Sequence, residues 1–225
     1  DEHEEHETAA EVEEHGDEAR DPHVWLDPIR FAAVVERIGS ELERPQAAAE
    51  LSDEHEDVRT IDLPRAGWGG AVRQGLLAAD GDLLCYTNSA RTTPEMLALL
   101  LIYEAAYPKV VLKANRKIRD NWRRRLGSLI YNLECRALFD LPIWDINGTP
   151  KVFPREFDAL LSLTRDDDLI DLEFAWICKR ENYPILEVPL LATQRHGGRS
   201  TTNYGSALKM YVGAWRLKRD VAPTP

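Results

Sequence analysis

The spacing of apolar residues changes character twice along the chain. From Asp1 to Arg20 nearly every position is Glu, His, Asp or Ala. Too few large apolar residues stand there to offset the entropy of folding, so a disordered or loosely helical tail is predicted. Asp27-Pro28 then offers a cap and a first helical position. Phe31, Val34, Val35, Ile38 and Leu42 follow at helical spacing, predicting an amphipathic helix from about Pro28 to Glu43. Residues 45–57 are polar, alanine-rich and acidic, the pattern of a linker or weak helix. Beyond Val58 short apolar runs predict strands at Thr60–Leu63, Leu83–Tyr86, Lys109–Lys113 and Ile185–Val188. Helices are expected near Ala71, from Pro94 to about Tyr107, and over Asn121–Leu138, Phe157–Leu163 and Ile170–Arg180. This cadence is that of a layered α/β domain. It divides the chain into a tail (1–20), a helix with linker (21–58) and an α/β domain (59–225).

Charge sharpens the division. Residues 1–58 hold 20 Asp/Glu against 4 Lys/Arg, whereas residues 59–225 hold 19 against 24. The acidic balance of the whole chain, formally -11, therefore belongs to its first quarter, and the remainder suits an anionic partner. No apolar stretch approaches the roughly 20 residues that cross a bilayer, since Met96–Ala106 is interrupted by Glu104 and stopped by Pro108. Cys85, Cys135 and Cys178 lie in apolar contexts without C-x-x-C spacing and read as buried free thiols. The first residue is Asp, with no signal-like segment behind it, so a mature product or a fragment is expected.

Several groups could carry chemistry. Gly67, Gly69 and Gly70 precede a helix with Arg73 one turn inside, which is either a structural turn or a cradle for a diphosphate. Seven cations between Lys113 and Arg125 make either a solvated face or an anion site. Arg124 and Ser128 are one helical turn apart and could grip one phosphate. Trp122 and Tyr131 do not interleave with those cations as a stacking series, which argues against nucleic acid. Asp145 stands in the turn-rich run IWDINGTPKVF with Lys151 near it, and Asp171 and Glu173 open a helix as caps or as functional acids.

Taken in order, GWGGAVRQGLLAADGDLL, TPEML, RRRLGSLIYNLECRALFDLPIWDINGTPKVFPRE and DLEFAWICKRENYPILEVPLLATQRHGGRST resemble the family 2 glycosyltransferases of the polyprenyl-phosphate sugar synthase type, over about Arg65 to Lys218. The resemblance implies a partial GT-A (Rossmann-like) α/β sheet that takes a nucleotide-sugar donor and transfers the sugar, with inversion, to a phosphate-bearing or hydroxyl acceptor. It implies donor binding by Gly67, Gly70, Arg73, Asn88 and Arg91. Asp145, Asp171 and Glu173 become the catalytic acids, with Asp145 or Asp171 as general base. Arg123, Arg124, Ser128, Lys151, Arg195 and Ser200 become the groups that hold an acceptor phosphate, such as that of a lipid. A cytoplasmic location, with contact to a membrane surface, is what the family implies.

Two departures stand against this pattern. Where the family carries its metal-binding D-x-D, the chain reads Thr87-Asn88-Ser89, and neutral oxygens hold a divalent cation far less well than carboxylates. Arg91 is the positive charge available in the metal's place. The family's opening N-E strand and the paired aspartates of its next strand have no counterpart before Arg65, so the nucleotide pocket is expected to lack part of its wall and activity to be impaired. The residues standing there, a His/Glu-rich run followed by DPHVWLDP, resemble the periplasmic zinc-binding proteins of ABC importers. That second resemblance implies an extracytoplasmic metal-binding segment with His23 as ligand, to which His3, His6 and His15 could add weak zinc binding. The chain then reads as a chimera.

Overall fold

The computed structural model describes residues 59, 61, 63, 67–88, 91–118, 122–191 and 204–221. The elements are, in order, α1 (Trp68–Ala78), β1 (Leu83–Tyr86), α2 (Pro94–Ala106), β2 (Val111–Ile118), α3 (Trp122–Phe139), β3 (Lys151–Pro154), a 3-10 turn (Asp158–Leu161), α4 (Ile170–Arg180), β4 (Ile185–Leu191) and α5 (Tyr204–Val221). Four strands form one mixed sheet in the order β1-β3-β2-β4. β3 runs antiparallel to both of its neighbours, and β2 and β4 are parallel. The helix expected at Pro28–Glu43 lies outside the described residues, as do Thr60 and Asp62 of the strand expected at Thr60–Leu63.

Each helix is placed by the face it must bury. Leu97 and Leu100 of α2 cover one side of the sheet, against Leu112, Ala114, Val152, Val188 and Leu190. On the other side α1 brings Val72 and Leu76, and α4 brings Ile170, Phe174 and Ile177, onto Leu84, Val111 and Phe153. The opposite flank of α4, with Leu172 and Ala175, packs against Tyr131, Cys135 and Phe139 of α3 and Ala214 and Leu217 of α5. A helix apolar on both flanks belongs between two layers, and α4 is buried at eight of its eleven positions. Thr93 caps α2 by accepting from the Met96 amide, and Pro94 takes the first turn, where its missing N–H costs nothing.

Four expectations changed in the structure. β2 runs five residues beyond Lys113, through a stretch in which Asn115 is met by Glu187 and Arg116 by Asp145. β4 continues through Pro189 to Leu191. Among the described strands it is an edge, where a proline's missing donor is tolerated. The run after Asp145, read as loop, contains β3, and the helix expected at Phe157–Leu163 is only a 3-10 turn.

Two glycines allow the loops to lie against the sheet layers. A Cβ on Gly69 would meet backbone atoms of residues 165–167 at 2.5–2.6 Å, and one on Gly148 would meet the Ala114 carbonyl oxygen at 1.9 Å. In contrast, Gly127 in α3 has open space around it. Gly148→Ala is therefore expected to destabilise by about 1–3 kcal/mol, because backbone must move. Gly127→Ala should instead stabilise by about 0.5–1 kcal/mol through helix propensity. Urea unfolding midpoints of the two variants check both signs.

Candidate active site

The strand register brings a polar row across the whole sheet. Tyr86 on β1 is paired with Lys151 on β3, Lys151 with Lys113 on β2, and Lys113 with Glu187 on β4. Directly paired residues point to the same face, so two lysines stand side by side. Both are buried, Lys113 being 1% exposed and Lys151 fully covered. Like charges in that position repel, and each ammonium is held by its own set of oxygens. Lys151 is paired with the Asp171 carboxylate, which also accepts from the Tyr86 hydroxyl at 2.9 Å and from the Trp68 indole at 3.1 Å. The Tyr86 ring lies 4.9 Å from the Lys151 ammonium.

Lys113 donates to the Asp145 carbonyl, to the Ala114 carbonyl at 3.2 Å and to Glu187 Oε1 at 3.2 Å. Glu187 gathers three further donors: the Asn115 amide group at 3.1 Å and the backbone N–H groups of Trp144 and Asp145 at 3.0 and 3.1 Å. Asp145 is gripped in turn by the Arg116 fork, at 2.7 and 2.8 Å, and by the Arg116 N–H at 3.1 Å. Bidentate pairing of this kind fixes the plane of the carboxylate. Helix α3 secures the same loop from outside. Asn132 accepts from the Ile146 N–H at 3.0 Å, Arg136 donates to the Ile143 carbonyl at 3.0 Å, and its guanidinium stacks 3.9 Å from the exposed Trp144 ring. The result is a charged cluster that runs from Lys113 and Glu187, in the amino-terminal half of the parallel strands β2 and β4, to Arg116 further along β2, with Asp145 of the adjoining loop over it.

Burial sets the titration of these groups. Desolvation pulls the Lys113 ammonium down to about 8, against attraction from Asp145 and Glu187. Lys151 is lowered for the same reason, with Asp171 opposing. The Tyr86 hydroxyl is pushed up by burial and by Asp171, and Cys85, Cys135 and Cys178 are pushed up to about 12 by burial. All three cysteines are free thiols.

The sequence candidates separate into groups. Asp145, Asp171 and Lys151 come together in the buried cluster. Glu173 lies apart, its carboxylate taking the Thr164 N–H at 3.0 Å, the Thr164 hydroxyl at 2.5 Å and the Arg165 N–H at 2.9 Å. Gly67, Gly70 and Arg73 surround the start of α1, where the Gly70 N–H donates to the Asp166 carbonyl at 3.2 Å and Arg73 pairs with the Asp166 carboxylate. The Asn88 carbonyl closes a turn on the N–H groups of Arg91 and Thr92, both at 3.1 Å. Ser128 accepts from Asn132 at 3.4 Å. Arg123 and Arg124 lie in the first turn of α3, with side chains outside the described set. Arg195, Ser200 and His3, His6, His15 and His23 lie outside the described residues. Sequence reasoning missed Lys113, Asn115 and Glu187 as a unit. The available signal was a charge inside each apolar strand run, VVLKA and ILEVP, since such a charge is buried only with a partner.

No family model matches the chain, and no curated protein matches it. Solved structures share its fold. Glucosyl-3-phosphoglycerate synthase from Mycobacterium tuberculosis, in complex with Mn2+, UDP and phosphoglyceric acid, superposes with a TM-score of 0.55 at 17% identity over 70% of this chain and 55% of that one. The same enzyme with UDP, Mn2+ and glucosyl-3-phosphoglycerate gives 0.55 at 16% identity, over 72% and 58%. A structure described only as a mycobacterial protein gives 0.53 at 16% identity, over 73% and 55%. Among the described residues the fold is thus a mixed α/β sheet with five helices that resembles part of the GT-A glycosyltransferase fold. The chain spans little more than half the length of these structures.

The Lys113 environment makes a signed prediction. An unfolded lysine keeps its proton to about 10.4, whereas the folded ammonium loses it from about 8. Between those values the unfolded chain binds more protons, so this group's contribution to stability rises with pH, by at most about 3 kcal/mol across the window, and is flat below pH 8. The raised thiols act in the opposite direction above about pH 9. Their effect cancels in the difference between wild type and Lys113→Met, so that difference in unfolding free energy should grow from pH 8 to 10 and stay constant from 6 to 7.5.

Proposed function

We propose that this chain is the acceptor-side part of a nucleotide-sugar-dependent glycosyltransferase of the family 2 kind. The observation that carries the reading is the Asp145–Arg116–Lys113–Glu187 cluster on the sheet of a partial GT-A fold. In the reaction an acceptor oxygen attacks the anomeric carbon, the bond from that carbon to the diphosphate breaks, and the nucleoside diphosphate leaves with the electron pair. For a hydroxyl acceptor, Asp145 takes the proton. Its partner Arg116 is the more accessible member of the pair, with the guanidinium side chain 23% exposed. Asp171 is enclosed with Lys151, Tyr86 and Trp68 and serves to lock α4 and α1 onto the sheet. Glu173 staples the 164–165 loop that packs on Gly69. Arg123, Arg124 and Ser128 at the start of α3 hold the acceptor phosphate, as do Arg195 and Ser200 in the sequence-based assignment. Gly67, Gly70, Arg73, Asn88 and Arg91 border the donor.

The complexes of the mycobacterial synthase contain Mn2+ beside UDP. The residues described here do not fit a divalent cation. Thr87 is buried and bonded to Thr92, Asn88 closes a turn, and no group of three or more His, Cys, Asp or Glu that could hold a metal ion occurs among the described residues. No step is therefore assigned to a metal. A zinc-binding reading has only His3, His6, His15 and His23 behind it, all outside the described residues. No described helix is long and apolar enough to cross a membrane.

Calorimetry with UDP and GDP should give millimolar dissociation constants, about -4 kcal/mol, because the nucleotide-holding strands have no sequence counterpart before Arg65. Micromolar binding would overturn that expectation. Release of UDP from UDP-glucose, measured at millimolar donor, should be stimulated by polyprenyl phosphate or by phosphoglycerate. Asp145→Asn should lower the stimulated rate by about 100-fold or more. Arg123→Glu with Arg124→Glu should raise the acceptor concentration needed, while Arg216→Glu with Arg219→Glu should not. No stimulation by either acceptor in a protein with intact circular dichroism sinks the transferase reading.

A further inference from the structure

Helices α3 and α5 pack side by side, with Tyr131 against Tyr211 at 5.7 Å and the Tyr211 hydroxyl donating to the Gly127 carbonyl at 2.7 Å. Cys135 and Phe139 of α3 and Ala214 and Leu217 of α5 turn inward to the core. The outward faces are apolar as well. Leu126, Leu129, Ile130 and Leu133 recur along α3 at i, i+3, i+4 and i+7, and Leu208, Val212 and Trp215 along α5 at i, i+4 and i+7. Each of these residues is between 43% and 64% exposed. One turn beyond Leu133, Arg136 stacks 3.9 Å from the exposed Trp144 ring and carries the surface on to it.

Area decides what such a surface is suited to. From their fractional exposures, the seven residues of the two stripes present roughly 700 Å², above the roughly 300–600 Å² of the largest apolar patch on an ordinary monomer. A stable interface buries about 800 Å² on each partner. The stripes therefore come close to supplying one side of an interface by themselves. Each helix has 18 residues and is about 27 Å long at 1.5 Å per residue, so the pair is long enough to lie across a second pair.

The seam between the stripes holds one polar group that bears on the occupant. Glu134 follows Leu133, its carboxyl meets the Trp215 indole, and its Oε2 is buried without a hydrogen-bond partner. An acceptor in that state needs a donor. A hydrocarbon layer would cover the stripes and leave Glu134 without one, whereas a protein surface brings N–H and O–H groups. The cations described on these helices do not set two copies against each other. Arg136 is engaged with Trp144 and the Ile143 carbonyl, Lys218 lies 5.5 Å from the Phe139 ring, and Arg219 is 3.8 Å from Asp220. Lys209 and Arg216 follow Leu208 and Trp215 by one position, about 100° round the helix, and so stand beside the stripe and not in it.

We propose that this chain forms a two-fold homodimer in which α3 and α5 of one protomer lie on α3 and α5 of its partner. Two-fold pairing sets one patch against its own copy, so no second kind of surface is required. The inference is independent of the proposed activity. Sedimentation velocity of the full chain, from low to high micromolar concentration, should show a monomer–dimer equilibrium. Leu129→Glu/Leu133→Glu, at exposed positions of α3, should raise its dissociation constant by about 100-fold or more with unchanged circular dichroism. Leu208→Glu/Val212→Glu should do the same from α5, which keeps the test intact if the first variant folds poorly. Ile102→Glu, at an exposed position of α2 on the other side of the sheet, should leave the equilibrium unchanged. A chain that stays monomeric throughout would overturn the proposal, and so would a dimer that both helix variants leave intact. Equal loss from Ile102→Glu would mean general apolar association and would count against it too. A monomer whose binding to phosphatidylglycerol vesicles is lost in Leu129→Glu/Leu133→Glu would replace the second copy with a bilayer.

Discussion

Two lysines adjacent in the middle of a sheet are the constraint around which this structure is arranged. Lys113 and Lys151 are direct neighbours on β2 and β3, and neither reaches water. Burying an isolated ammonium is far costlier than any single packing gain, so each must bring its counter-charge with it. Asp171 answers Lys151 from the first turn of α4. Glu187 answers Lys113 from β4, and the carbonyl of Asp145 completes its shell. Removing one partner would leave an uncompensated charge. The positions of α4, β4 and the 143–148 loop are for that reason coupled more tightly than apolar packing alone would make them.

The same constraint links fold to site. Arg116 follows Lys113 on β2 and binds Asp145, so the strand that carries one buried cation also orients the carboxylate of the loop above it. Glu187 donates nothing. It accepts from both backbone N–H groups at Trp144 and Asp145 and thereby fixes where that loop leaves α3. Gly148 lets the loop descend onto the Ala114 carbonyl. A carboxylate held by a guanidinium fork in a low-dielectric surround has its plane and position fixed.

At the other end of the sheet, a glycine lets backbone pack against a helix start. Gly69 is where the backbone of residues 165–167 meets the first turn of α1, and Asp166 takes the Gly70 N–H and pairs with Arg73. A bare helix start attracts anions through its free N–H groups. In this chain carbonyl and carboxylate oxygens of the chain itself occupy part of that field. The start of α1 and the Lys113–Glu187 cluster therefore differ in kind: the first is backbone packed on backbone, the second a set of paired charges.

Hydrophobic spacing by itself determined four of the five described helices, α1 to α4, and the apolar part of β1, β2 and β4, because those elements answer only to which residues must leave water; α5 and β3 were not foreseen. Leu83–Tyr86 and Ile170–Arg180 coincide with the expected spans, and Pro94 marks the start of α2. The charge division at Val58 and the order of the four motifs were equally legible, and the motifs pointed to the fold that solved structures share with this chain. What the tertiary structure decided was the fate of the polar residues. Arg116 read as one of a run of cations, either a solvated face or an anion site, and Asn115 carried no reading, until Asp145 and Glu187, some thirty and seventy positions away, are seen to face them. Spacing along a chain reports burial only for groups that have no alternative to it. A charge can lie in water or against a counter-charge, and only the pairing of distant strands says which.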